Sequence, residues 1–366
     1  MNQEKRTERK SFWLVGWPLV TLVIGAVIGA ILSLVGGAFL GPMFHQQSSI
    51  TRPADFVSYE HGGNILSVYN DRGELMVKNW YIPMGIDTAF VAKFDPKTKP
   101  QVVLGTSDGR VFVINPNTLR RHTISEEDGF QLLVDSVLEG HNHSNRFRIN
   151  EIGILDWDGD GTKEIFVSSV DVHWYPARLV VLDKDTNVLY EYWNSGGIVR
   201  VLPVDIDKDG ADEMVVRAYN NEQRKKFHGE NPQGFFLLDG SHPSGQLPDS
   251  VYRFYPADVT EWYFLWTGPR NPATGPGSFE IEYIRRDGET EPEVRLGTQI
   301  GLSFHIDKDG NITKVTFADD WFTEANQSLA LKTPEPWLLK LERKDGKVIE
   351  DTVFIKQQLI ETGWLK

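Results

Sequence analysis

The most restrictive feature of this 366-residue sequence is one that recurs. In "LDWDGDGTKEIFVSS" (155–169), carboxylates stand at Asp156, Asp158, Asp160 and Glu164, and an apolar run follows at once. Forty-nine residues on, "VDIDKDGADEMVVRA" (204–218) repeats the spacing with Asp205, Asp207, Asp209 and Glu213. Each loop leads into a strand-like segment, and then into an apolar strand, a turn rich in Asp, Asn and Gly, and a second strand, beginning at Arg178 and Gly234. Short apolar strands joined by such turns are the strongest local hairpin signal. The same hairpin pattern begins at Asn64, Arg110, Ser303 and Trp337. The unit is therefore loop, strand, turn, strand, turn, strand, at roughly 50 residues, a period that signals a propeller blade of about four strands.

The expected fold is all-β over residues 55–366, a β-propeller of about five to seven four-stranded blades. The hairpin at Asn64 has no carboxylate loop and no inner strand before it in this reading. In a closed ring, C-terminal strands are then expected to complete the N-terminal blade. The stretch 255–300 fits the period poorly.

Alternate aspartates at positions 1, 3 and 5 of a tight turn point their oxygens at one centre. Gly161 and Gly210 at position 6 permit the bend, the carbonyls of Thr162 and Ala211 at position 7 can follow, and the acid at position 9 closes the shell. Four carboxylates so close repel one another unless a cation neutralises them. Oxygen-only donors on a flexible loop favour calcium over magnesium, so two calcium sites are expected. The loop is not an EF-hand: position 12 holds Val167 and Val216 instead of a bidentate glutamate, and strand sequences replace the flanking helices. A degenerate third copy, "AKFDPKTKPQVV" (92–103), has Lys93, Lys97 and Gln101 where ligands would stand. It is expected to bind no metal and to hold its turn through an ion pair with Asp95. "HIDKDGNI" at Asp307 has no acid at position 9 and reads as a solvated hairpin corner.

The two full loops resemble the calcium loops of FG-GAP/VCBS repeats, the blades of integrin-α-like propellers. In that family the pattern D-x-D-x-D-G-x-x-D/E sits on a turn just before a blade strand. The resemblance covers about residues 90–250 and implies a structural role for calcium, which stiffens the turn between strands.

Phe12 to Leu40 contains no charged residue, and at about 1.5 Å rise per residue it exceeds the roughly 20 residues that cross a bilayer. Lys5, Arg6, Arg9 and Lys10 precede it, which predicts a cytoplasmic tail over 1–11, one transmembrane helix over 12–40, a linker over 41–54 and an extracytoplasmic domain beyond. A cleaved signal peptide ending near "GGAFLG" is the rival reading; the apolar run is long for one. Gly25, Gly29, Ser33 and Gly37 recur every fourth residue and would line one helix face, a pattern that supports a homodimer through the anchor. The chain carries a formal charge of −13, which becomes −15 over residues 51–366 and argues against nucleic acid as a partner. It has no cysteine, which excludes disulfides and thiolate chemistry and leans toward a bacterial periplasmic or cell-surface protein.

Catalytic signals are sparse. His141 and His143 form the one histidine pair with ligand-like spacing, with His173 and His228 in other long loops. Three insertions, 125–150, 219–234 and 258–277, are candidate recognition loops on a rigid scaffold. The second concentrates Arg224, Lys225 and Lys226. The third holds Trp262, Phe264, Trp266 and Pro269, either exposed as contacts or packed between blades on a strand. The function expected is a membrane-anchored, calcium-stabilised module that binds protein or glycan ligands in adhesion or scaffolding and has no catalytic role. The alternative is an enzyme on a propeller scaffold, a polysaccharide lyase or a quinoprotein-like dehydrogenase.

Overall fold

The computed structural model describes residues 54–116, 130–131, 147–171, 176–194, 196–221, 232–239, 245–246, 262–269, 280–284, 293–298, 301–318, 323–344, 347–354 and 356–366. Among them no helix is long and apolar enough to cross a membrane; the expected anchor, its small-residue face and the linker up to residue 53 lie outside them, whereas Ala54 already opens the first strand.

Strands dominate and form five sheets that follow the chain. The first holds β1 (Ala54–Tyr59), β2 (Ile65–Asn70) and β3 (Leu75–Tyr81). The second holds β4 (Ile86–Ala92), β5 (Gln101–Thr106), β6 (Arg110–Ile114) and β7 (Phe130–Gln131). The third holds β8 (Phe147–Leu155), β9 (Glu164–Asp171), β10 (Ala177–Leu182) and β11 (Val188–Asn194). The fourth begins with β12 (Ile198–Val204), β13 (Glu213–Tyr219) and β14 (Gln233–Leu238). The short β15 (Gly245–Gln246) then returns to lie parallel beside β11, and β16 (Tyr263–Trp266) extends the fourth sheet. The fifth sheet holds β17 (Glu280–Ile284), β18 (Glu293–Gly297), β19 (Leu302–Ile306) and β20 (Ile312–Phe317). After helix α1 (Glu324–Lys332), β21 (Leu338–Lys344) and β22 (Lys347–Phe354) rejoin the fourth sheet, and α2 (Lys356–Glu361) follows.

The hairpin corners share one device. A side-chain oxygen at the first turn residue accepts the backbone N–H four residues on, which satisfies a donor that the ladder leaves over. Asn70 does this for Glu74 (2.9 Å), Thr106 for Arg110 (3.1 Å) and Asp183 for Asn187 (2.8 Å). Thr298 does it for Leu302 (3.2 Å) and Asp307 for Asn311 (2.8 Å). The Asp307 corner is thus closed from within, as its missing ninth-position acid suggested.

Side-chain alternation shows how the sheets stack. Successive residues of a strand face opposite sides. On β14, Phe235 and Leu237 enter a core with Leu296 and Phe304 of the fifth sheet, whereas Phe236 and Leu238 enter one with Leu179 and Val181 of the third. The other face of the third sheet turns Ile165, Val167, Val180 and Leu182 against Val103 and Val111 of the second. The second to fifth sheets therefore stack face to face in chain order. This explains the near-continuous apolar runs of β10 and β14, which are buried on both sides.

Two expectations are corrected here. An inner strand does precede the Asn64 hairpin: β1 pairs with β2 from Ala54↔Asn70 to Tyr59↔Leu66. The C-terminal strands do not complete the first sheet either. Instead β21 pairs with β16, from Tyr263↔Leu341 to Trp266↔Leu338, and β22 covers the outer side of β21. The cause is burial, because Trp337, Leu338, Leu339 and Leu341 are all nearly inaccessible in that position. A closed ring is not displayed by the described sheets.

Candidate metal centres

The two carboxylate loops occupy equivalent places. One joins β8 to β9, the other β12 to β13, and the degenerate copy joins β4 to β5 at the same step of its own sheet. Each full loop starts as one strand ends and places its ninth residue, Glu164 or Glu213, as the first residue of the next strand. Left-handed backbone is needed twice per loop. Position 6 is glycine in both, with φ of 83° at Gly161 and 101° at Gly210. Position 4 is Gly159 (φ 72°) in the first loop but Lys208 (φ 67°) in the second. A lysine there carries a steric cost of about 1–2 kcal/mol. Replacing it with glycine, which has greater unfolded-state entropy, should still raise stability by about 0.5–1 kcal/mol. Urea denaturation of K208G checks this, and an unchanged or lower midpoint contradicts it.

The folded loops bring three carboxylates together each. Asp156, Asp158 and Glu164 each place one oxygen within 4.8 Å of the others, and so do Asp205, Asp207 and Glu213. Of the ten residues expected to coordinate, these six converge. Asp160 and Asp209 stand outside the two trios: each accepts the N–H of the seventh residue, Thr162 at 2.6 Å and Ala211 at 2.8 Å. The third-position acids accept the fifth-position N–H, Asp158 from Asp160 (3.2 Å) and Asp207 from Asp209 (3.1 Å). In the degenerate loop Asp95 does the same for Lys97 at 2.6 Å. Its turn is thus held by a backbone hydrogen bond, and the expected ion pair with Lys93 or Lys97 is not found among the described residues.

Both glutamates are buried, each 5% exposed, and each accepts one backbone N–H: Trp157 donates to Glu164 and Ile206 to Glu213, both at 2.8 Å. Burial raises the carboxyl pKa of each to about 7; that hydrogen bond opposes the shift and the neighbouring aspartates reinforce it. Asp205 completes the picture. Its Oδ1 is shut off from solvent and has no hydrogen-bond partner among the described residues. A carboxylate that belongs to a trio of acids and carries a buried oxygen without a hydrogen-bond partner among the described residues is a donor for a hard cation, and the residues present fit one.

The loops are joined across the seam between the third and fourth sheets. Asp212 donates its N–H to the Asp156 carbonyl at 2.5 Å, and its Oδ2 accepts the Asp156 N–H at 2.7 Å. Lys163, also at position 8 of its loop, donates its N–H to the Phe94 carbonyl of the degenerate loop at 2.7 Å. Its Nζ stands 3.6 Å from both Asp156 Oδ2 and Asp212 Oδ2. The position-8 residue was not singled out in the sequence, since Lys163 and Asp212 have opposite charges and only their place in the repeat is common.

The remaining candidates divide. Trp262, Phe264 and Trp266 are at most 1% exposed and Pro269 is buried as well, so these aromatics pack between the fourth and fifth sheets and are not exposed contacts. His141, His143, His173, His228 and the Arg224–Lys226 cluster lie outside the described residues.

No family model and no curated protein matches the chain. Solved structures similar to it include BBS1N in complex with ARL6DN, at 8% identity and a TM-score of 0.35 over 80% of this chain and 86% of that one. Another is the Bacillus licheniformis rhamnogalacturonan lyase PL11, at 12% identity and 0.36 over 83% and 70%. A third is the Dos1 propeller, at 10% identity and 0.34 over 78% and 72%. These values are too low to transfer an activity.

Proposed function

We propose that the chain is a membrane-anchored β-propeller of FG-GAP/VCBS type whose blades are stiffened by two calcium ions, and that it displays its loops outside the cytoplasm to bind protein or glycan ligands. One observation carries the reading: two trios of converging carboxylates recur at the same step of neighbouring sheets, one of them with a buried oxygen that has no hydrogen-bond partner among the described residues. Calcium suits that donor set because it takes six to eight oxygens in flexible geometry. Magnesium demands a stricter octahedron and retains its waters. The aspartates of each trio, with its ninth-position glutamate, would hold the ion. The long loops at 125–150 and 219–234 are the proposed recognition elements, carried on a scaffold whose third and fourth sheets are packed on both faces.

The test is a calorimetric titration of the full-length chain in detergent with calcium and with magnesium, followed by a glycan array and a ligand pull-down in calcium and in chelator. Two calcium equivalents bound in preference to magnesium, with ligand capture lost in chelator, is the expected result. Failure to bind calcium overturns the metal assignment, and turnover of an arrayed polysaccharide overturns the non-catalytic role.

A further inference from the structure

Resting on that calcium assignment, we infer that the two loops are unequal and coupled: the 205–213 loop fills first, and its filling tightens the 156–164 loop. The inequality follows from what already faces each first-position aspartate. Asp156 has a resident counter-charge in Lys163, and its Oδ1 also accepts the Gly161 N–H at 3.3 Å. A cation entering there competes with an ammonium for the same carboxylate and is repelled by it. Among the described residues Asp205 has no such neighbour, and its Oδ1 is buried with no hydrogen-bond partner there. A cation entering there supplies the missing counter-charge. Lys208, the lysine of the second loop itself, is exposed, and an exposed charge pulls only weakly on a buried carboxylate oxygen.

The coupling follows from the seam. Asp212 belongs to the second loop and directly precedes Glu213, a member of the second trio. Its paired hydrogen bonds grip both the N–H and the carbonyl of Asp156, a member of the first. The loops also touch along their backbones: a Cβ at Gly159 would lie 3.3 Å from the Ala211 nitrogen and 3.4 Å from the Gly210 carbonyl carbon. Fixing the second loop around an ion therefore fixes the backbone of Asp156, so the first loop loses less freedom when its own ion arrives. By linkage the effect is mutual, and filling the first loop tightens the second by the same factor. Lys163 touches Asp156 and Asp212 together and is a positioning residue for both.

The experiment is calcium calorimetry on the full-length chain in detergent, comparing wild type with D156N, D205N, D212A and K163M. Two unequal steps are expected for wild type. D156N should abolish the weaker step and leave the stronger close to its wild-type affinity, because that loop fills while the other is still empty. D205N should abolish the stronger and weaken the remaining one by about 5- to 100-fold, the usual range of a coupling between sites. D212A leaves every trio residue in place and should reduce that factor toward unity. K163M, a change at a partly exposed side chain, should tighten the weaker step by about 5-fold or more. Far-UV circular dichroism of each variant at saturating calcium separates lost affinity from lost fold, and K163M tests the inequality should D205N not fold. Two steps of equal affinity, or a K163M titration identical to wild type, overturn the inequality. A residual step in D205N that matches the weak step of wild type overturns the coupling. In both cases the calcium assignment itself survives, whereas a wild type that takes up no calcium removes both.

Discussion

Trp266→Ala is expected to lower the stability of the domain by about 3–5 kcal/mol, the range for emptying a large aromatic site in a packed core. Trp266 is fully inaccessible, with its ring centroid 5.7 Å from that of Phe304 in the fifth sheet and 6.2 Å from that of Trp337 next to β21. It therefore joins three segments distant in sequence, and neighbours held by separate sheets cannot easily collapse into the space it leaves. Equilibrium urea denaturation measures the loss. A change below about 1 kcal/mol would mean that the aromatic cluster is not the joint between these sheets.

The second large effect concerns pH without calcium. Glu164 and Glu213 have carboxyl pKa values raised by burial to about 7, above the usual carboxylate value of 4.5. As pH rises past 4.5 the unfolded chain releases these protons while the folded chain retains them, so the folded state binds more protons and loses stability. The loss accumulates up to about pH 7 and then levels off. A thermal melt of the chelated protein should therefore show a midpoint that falls between pH 5 and 7, corresponding to on the order of 1–3 kcal/mol per loop. Saturating calcium, which requires both glutamates ionised, should abolish or reverse the trend. E164Q and E213Q should each remove part of the pH dependence from the chelated protein. A flat or rising midpoint in chelator would show that these carboxyls are not held protonated by their surroundings.

What could be read from the sequence was local. The carboxylate loops and the corners at Asn70, Asp183 and Asp307 are encoded in short windows, because their side chains satisfy backbone donors within four residues. The convergence of Asp156, Asp158 and Glu164 follows from the same short-range geometry. What escaped was decided at long range. β1 is too exposed, at Phe56 above all, to announce itself, yet it pairs along its length with β2. The run from Trp262 to Trp266 has no alternation of polarity because both faces of β16 are covered, and such a run can equally be read as an exposed aromatic loop. The segment that became α1 has only Asn326 and Ala330 buried, so its apolar periodicity is faint. The link through Asp212 and Lys163 depends on two repeats being neighbours in space, which no single window contains.

The return of β21 to β16 sets an order of events during synthesis. Thr267 and Trp337 are hydrogen bonded across 70 positions, and the whole fifth sheet is made between them. The fourth sheet therefore cannot be finished while its first strands leave the ribosome, and the edge of β16 must wait, unpaired and apolar, until residues 338–341 have been made. A nascent chain released before Leu338 is made would keep that edge open, which makes truncation upstream of β21 a route to aggregation.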